Sequence, residues 1–418
     1  MTLGKYSMGV GDRFSHQGEA QLSAFLKAKE KGVTIVPVWN KSKREHTLIG
    51  SSPSTVRLEA DKAVAALNWK DDYYVDADHI GLKTVDAFVE FADFYTLDVA
   101  DFIGLKPSDE DLKAFLKITS QYIGSLVIPN VSKTFTITED KLKSIAGKYL
   151  VAIKEASNIY KRIKSIKGED NFITEVSIDE SNEAQTPEEL FFILYGLALE
   201  NIPVQTIAPK FTGRFNKGVD YVGDTNQFIS EFEDDVAVIN FAIKEFNLPS
   251  NLKLSIHSGS DKFSLYKPIH QIIKKYDAGL HLKTAGTTWL EELIGLAEAG
   301  GDGLEISKEI YQQSFLRSTE LMKPYATVVD IDFNKLPTPE AVWKWSSEDF
   351  TNALRHDQTC ASYNIHFRQL LHLGFKIAAE MGDKYYDALA KYKDIIGKNV
   401  FENIYNRHMK ILFLGEDK

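Results

Sequence analysis

Eight short apolar, β-branched runs alternate with longer stretches of helical period along most of the chain, and this alternation constrains the fold more than any other feature. The runs are "VTIVPV" (33–38), "DYYVDA" (72–77), "FYTLDV" (94–99), "FITEVSI" (172–178), "IPVQTI" (202–207), "LKLSIH" (252–257), "GLHLK" (279–283) and "ATVVDI" (326–331). Helical spacing covers 19–31, 54–68, 186–200, 224–246, 261–276, 288–299 and 305–323. Strands that are apolar throughout are buried on both faces, and helices between them supply the crossovers of a parallel sheet. Eight such units predict an α/β fold, a (β/α)8 barrel of TIM type. A doubly wound sheet is the alternative, but no glycine-rich nucleotide turn supports it. "GVGDRF" near the N-terminus follows no strand-like run and reads as a loop.

Two stretches exceed what a barrel needs. Residues 105–170 are mostly helical and read as an insertion, serving as a lid, a packing subdomain or a subunit contact. Residues 337–418, opened by "LPTPEAVWKW", form a helical tail. The expected organisation is a catalytic barrel over 1–336, insertion included, with a C-terminal extension over 337–418 packed on it.

Composition narrows the partners. A net charge of −10 with no offsetting basic stripe argues against nucleic acid. The single cysteine, Cys360, excludes a disulfide framework and fits a reducing cytoplasm. The N-terminus has no apolar core of a signal peptide, and no apolar run approaches the ~18 residues of a membrane span. The expectation is a cytoplasmic protein with no membrane partner; whether it forms a homo-oligomer is left open.

In barrels of this kind, reactive residues come from the carboxyl ends of strands and the loops after them. Here those ends include "DADHIGLKT" (76–84), "EVSIDES" (175–181), "APKFTGRFNKG" (208–218), "HSGSDK" (257–262) and "HLKTAGTTW" (281–289). Among ten histidines, His79, His257 and His281 each lie on or just after one of these strands. Three imidazoles on three strand ends can converge on a divalent metal without any contiguous motif. Glu175, midway along another strand, is a reserve ligand or a base, and Asp78 adjoins His79. Lys283, Lys210 and Arg214, in that order, are the cations placed to hold an anionic substrate; Ser258, beside His257, is a further contact. His270 falls within a helix, and His356, His366, His372 and His408 fall in the tail, where surface or packing roles account for them. No nucleophile elbow and no nicotinamide fingerprint appear.

The stretches "GVGDRFSHQGEAQ", "VPVWNKSKREHTLIG", "VDADHIGLKT", "LSIHSGSDKFSLY" and "HLKTAGTTWLEEL", running from residue 9 to about 293, resemble the tagaturonate epimerase family. The resemblance implies a metal-dependent, barrel-shaped enzyme that interconverts D-tagaturonate and D-fructuronate. Its cofactor would be a divalent ion (Zn, Mn or Co) and its partner a small sugar acid. "DADH" and "IHSGSD" are also similar to the Asp-His and His-Gly segments of metal-dependent class II aldolases, with His-Ser-Gly here in place of His-Gly. By that likeness His79 holds the metal, Asp78 moves a proton on the substrate hydroxyl, and epimerisation runs by retro-aldol cleavage and re-addition. Another metal-dependent ketose epimerase or isomerase, or a class II-like aldolase, would use the same site. A non-catalytic sugar-acid binder would need no proton-transfer group beside the ligands, and Asp78 and Glu175 both offer one.

Overall fold

Eight parallel strands close into a barrel in the computed structural model, which describes residues 1–416 except 180 and 182. They are β1 (Tyr6–Val10), β2 (Val36–Ser42), β3 (Tyr74–Ile80), β4 (Phe94–Asp98), β7 (Ile173–Ser177), β8 (Thr206–Ala208), β9 (Lys253–Ile256) and β10 (Leu280–Lys283). Two further short strands, β5 (Gly124–Leu126) and β6 (Phe135–Ile137), form an antiparallel hairpin outside it. Each barrel strand pairs with the next in chain order, and β10 returns to β1.

Seven of the eight predicted runs overlap barrel strands; 326–331 does not. Only Val329 of that run is buried, with Val328 and Ile331 packed against the core in part, so the run offers no strand buried on both faces. The missing place belongs to β1, "YSMGV", whose serine and glycine weaken its apolar pattern. "GVGDRF" therefore begins on a strand, and its remainder is the loop that follows β1.

The strand period of two assigns the residues to two environments. Met8, Trp39, Val75, Tyr95, Leu97, Val176, Leu254 and Leu282 belong to the large core shared with the surrounding helices. A separate small cluster of Leu3, Val36, Val38, Tyr74, Phe94 and Ile173 fills the amino-terminal end of the barrel. Above it, the alternate positions turn polar: Ser7, Asn40, Asp76, Thr96, Glu175, Thr206, Ser255, His281 and Lys283 are all buried. Branched aliphatic residues usually fill this space. Burying so many polar groups costs stability unless each is paired.

Gly9 makes that polar packing fit. A Cβ there would lie 2.8 Å from Asn40 Nδ2 and 3.2 Å from the backbone of Lys283. Gly9→Ala is expected to destabilise the fold by roughly 1–3 kcal/mol, as overpacking does; an unchanged urea midpoint would contradict this.

Helices Gly18–Glu30, Ser54–Ala66, Pro187–Leu199, Thr225–Glu245, Phe263–Lys275 and Thr288–Ala299 follow strands and match the predicted spacing. The helix from Pro187 shows why: Thr186 and Glu189 form a capping box and proline occupies the first turn. Of the stretch 105–170, the helix Glu139–Lys167 packs on β4 and on the helix from Pro187, so it serves as the β4–β7 crossover. Only the helix Asp109–Thr119 and the β5–β6 hairpin stand outside the repeating unit. Tail helices lie against the helices Thr288–Ala299 and Gly18–Glu30. Among the described residues no helix is long and apolar enough to cross a membrane.

Candidate functional site

Three donors converge at the carboxyl ends of β3, β7 and β9. His79, Asp179 and His257 each place one ligand atom within 4.8 Å of the others. His79 arrives there by a distortion: the β3–β4 register shifts between Ala77 and Ile80, and His79 takes φ +52°. A non-glycine residue in that region is held there by its surroundings, and such positions cluster at functional sites. Ser258, directly after His257, has φ +48°. The chain thus bends sharply at both histidines.

Each imidazole has one nitrogen held by a carboxylate and the other turned toward Asp179. His79 Nδ1 donates to Asp78 Oδ1 at 2.8 Å, while its Nε2 lies 3.9 Å from Asp179 Oδ1. His257 Nε2 donates to Glu175 Oε1 at 2.7 Å. Its Nδ1, 3.2 Å from Asp179 Oδ1, is buried and makes no hydrogen bond among the described residues. Ser177 Oγ holds Asp179 at 2.6 Å. Two ring nitrogens and a carboxylate that approach without bonding to one another are what a shared cation requires. Carboxylates on the far nitrogens fix the ring orientation, as they do in metal centres.

Electrostatics agree. Burial alone would lower the histidine pKa values, but Asp78 and then Asp179 hold His79 well above the ordinary range. For His257, Asp179 and Glu175 likewise outweigh burial and Lys283. Burial would raise Asp179, yet the two imidazoles hold it well below the usual carboxylate range. A cation held by these nitrogens would have to displace their protons, so its binding would weaken as pH falls.

Beneath it lies one ammonium among three carboxylates. Lys283 Nζ reaches Asp76 Oδ2 at 2.8 Å, Asp78 Oδ1 at 2.7 Å and Glu175 Oε1 at 3.0 Å, and donates to Thr96 Oγ1. Burial pushes Asp76 up to about 7, Lys283 notwithstanding. Glu175 and Asp78 are held well below the usual range: burial opposes this, but Lys283 prevails, helped by His257 and His79 respectively. Both Glu175 oxygens are engaged, since Thr206 Oγ1 donates to Oε2 at 2.7 Å, and its side chain is 0% exposed. Asp78, 15% exposed, faces the mouth.

The sequence candidates separate accordingly. The structure brings His79 and His257 together but not His281, which pairs in register with Ser255, two residues before His257. One layer down, His281 Nδ1 meets Ser7 Oγ at 2.8 Å, and burial holds its pKa at about 3. Lys283 points at carboxylates rather than into the mouth. Lys210 donates to the Ser181 carbonyl, and Arg214, 48% exposed, pairs with Asp330 at 3.0 Å. Ser258 Oγ accepts from Lys217 Nζ at 3.0 Å. Sequence reasoning does not single out Asp179 or Lys217, although "EVSIDES" contains the first and "APKFTGRFNKG" the second. A carboxylate two residues past β7 was the available signal.

Comparison with known proteins places this geometry in context. The chain matches the family model described as tagaturonate epimerase over residues 1–412. A tagaturonate/fructuronate epimerase of Thermotoga maritima is 26% identical over 422 residues, spanning 97% of this chain and 80% of that protein. The native crystal structure of a fructuronate-tagaturonate epimerase from Cohnella laeviribosi has a TM-score of 0.81 at 23% identity, covering 99% of this chain and 82% of that one. A glycerol-complexed crystal structure of it also scores 0.81, at 22% identity with coverage of 99% and 82%. The structural likeness establishes the barrel fold.

Proposed function

The chain belongs to the tagaturonate epimerase family, and we propose that it interconverts D-tagaturonate and D-fructuronate using a divalent ion held by His79, Asp179 and His257. The observation that carries the metal is the arrangement of the two imidazoles, each with one nitrogen on a carboxylate and the other facing Asp179. A set of two nitrogens and one carboxylate oxygen suits Zn, Mn or Co and leaves positions for substrate oxygens. An ion bound there supplies a Lewis acid able to polarise a ketone.

The protein's own groups divide the remaining work. Glu175, buried with both oxygens engaged, orients His257. Lys283 keeps three neighbouring carboxylates from repelling one another. Asp78, ionised and partly exposed, takes the proton of the hydroxyl on the epimerising carbon. That carbon is not adjacent to the ketone, so its C–H bond is not acidified. Removing the hydroxyl proton instead lets the neighbouring carbon–carbon bond break, giving an enediolate of dihydroxyacetone and a three-carbon aldehyde acid. Rotation of the aldehyde and re-addition from its other face completes the epimerisation.

The direct test incubates metal-loaded protein with D-tagaturonate and follows fructuronate. The expected result is one equilibrium mixture reached from either sugar acid. Three-carbon products accumulating without fructuronate would instead mark an aldolase, and no turnover of either sugar acid would remove the assignment.

A further inference from the structure

We infer that Lys217 anchors the substrate carboxylate, and thereby selects ketouronates over neutral ketoses; the inference rests on the ketouronate reading of the same site. A ketouronate has a reacting end and, several carbons away, a permanent negative charge. The charges at the barrel mouth are divided in a matching way. Asp76, Asp78, Glu175 and Asp179 come from β3 and β7 and the loop after β7, around the cluster of histidines. The loops after β8 and β1 bring cations, Lys217 and Arg13 among them.

Most cations near the mouth are already committed. Lys283 serves the carboxylates beneath the histidines. Arg13 pairs with Glu45 at 2.8 Å. Lys262 donates to the Asn216, Val219 and Ser260 carbonyls. Lys217 is different. Its Nζ donates to a neutral hydroxyl, Ser258 Oγ, and among the described residues no carboxylate lies within ion-pair distance of it. Ser258 directly follows His257, so this ammonium is fixed beside the donor group rather than far from it.

The surroundings favour an anion. His372 is buried, its Nδ1 has no partner among the described residues, and it lies 3.2 Å from where a Cβ on Gly218 would stand. Burial, then the positive charges of Arg13 and Lys217, hold its pKa well below the ordinary range, which marks a positive potential around that ring. Gly286 borders the same imidazole: a Cβ on it would lie 3.0 Å from His372 Cε1 and 3.7 Å from Arg13 Nη2. At both positions glycine lets the loop backbone approach the His372 imidazole closely.

The loops carrying this arrangement are held rigidly. Arg368, fully buried in the tail, donates to the Gly218 carbonyl and to the Asp261 carboxylate. His408 accepts from the Asp261 backbone N–H at 3.1 Å. One tail arginine therefore ties the loop of Lys217 to the loop of Ser258. A fixed ammonium loses little freedom when it binds its anion.

The test compares tagaturonate binding by calorimetry in metal-loaded wild type, K217M, K217Q and K217R. Losing a charge-assisted bond should raise Kd about tenfold to over a hundredfold in K217M and K217Q. K217R should recover most of the affinity, and metal content should match wild type in all three. Either neutral variant binding tagaturonate within twofold of wild type overturns the inference, and the pair guards against one variant misfolding. Equal weakening of D-tagatose, which lacks the carboxylate, also overturns it. Wild type that holds metal but binds no tagaturonate would overturn the ketouronate reading itself, and the inference with it.

Discussion

Asp179→Asn and His257→Ala are each expected to yield a folded barrel that loses its divalent metal on dialysis and epimerises tagaturonate only at background rate. The three donors lie within 4.8 Å of one another, so removing one leaves two. Losing a residue that merely orients a ligand already costs about 10–100-fold in metal affinity; losing the ligand costs more. Glu175→Gln, which alters the partner of His257 Nε2 and weakens the ion pair with Lys283 but removes no donor, should fall in that smaller range. His281→Ala should keep its metal, because its ring lies a layer below and is bonded to Ser7. The measurement is metal content by elemental analysis after dialysis, followed by refilling with Mn, Co or Zn. Chelation of wild type should abolish turnover, and refilling should restore it. Stoichiometric metal in Asp179→Asn would remove Asp179 from the set. Loss of metal in His281→Ala would return the third position to that histidine.

The difference between His281 and Asp179 shows what periodicity can and cannot carry. Alternation along β10 places His281 and Lys283 on the inner face, and the chain reads that way without a structure. Depth is another matter. His281 lies level with Ser255 and Ser7 because of how β10 pairs with β9 and β1, and no property of "HLK" encodes that pairing. Asp179 escaped notice for the opposite reason: it stands beyond β7, where a loop carboxylate resembles any solvated acid until its neighbours are known. Lys283 reads as a substrate contact in the sequence because a strand-end cation suggests an anion outside the protein. Its anions are Asp76, Asp78 and Glu175, from strands distant in sequence. The helices were legible, since caps and spacing are local. β1 was not, because a strand with glycine at position 9 trades local pattern for room around Asn40 and Lys283.

Asp78→Asn should slow turnover far more than it weakens metal binding, and this separates its two relations in the site. Asp78 Oδ1 accepts from His79 Nδ1 at 2.8 Å and from Lys283 Nζ at 2.7 Å. An asparagine oxygen can still accept both, so His79 stays oriented and metal affinity should fall by no more than about 10–100-fold. The amide has no basic oxygen for the hydroxyl proton, however, and loss of a positioned base costs about 10²–10⁴-fold in rate. Isotopes then test the bond that breaks. If the base acts on the hydroxyl and the carbon–carbon bond cleaves, the hydrogen on the epimerising carbon never leaves it. Turnover in heavy water should therefore place no deuterium at that carbon, and a 13C isotope effect should appear at both carbons of the cleaved bond. Stereochemistry changes only when the aldehyde rotates before re-addition, so the mouth must hold the three-carbon acid while letting it turn. Dihydroxyacetone added in large excess should consequently not be needed for turnover, because neither fragment leaves. Deuterium at the epimerised carbon would instead mean that its C–H bond breaks, and the retro-aldol route would fall even with Asp78 still required.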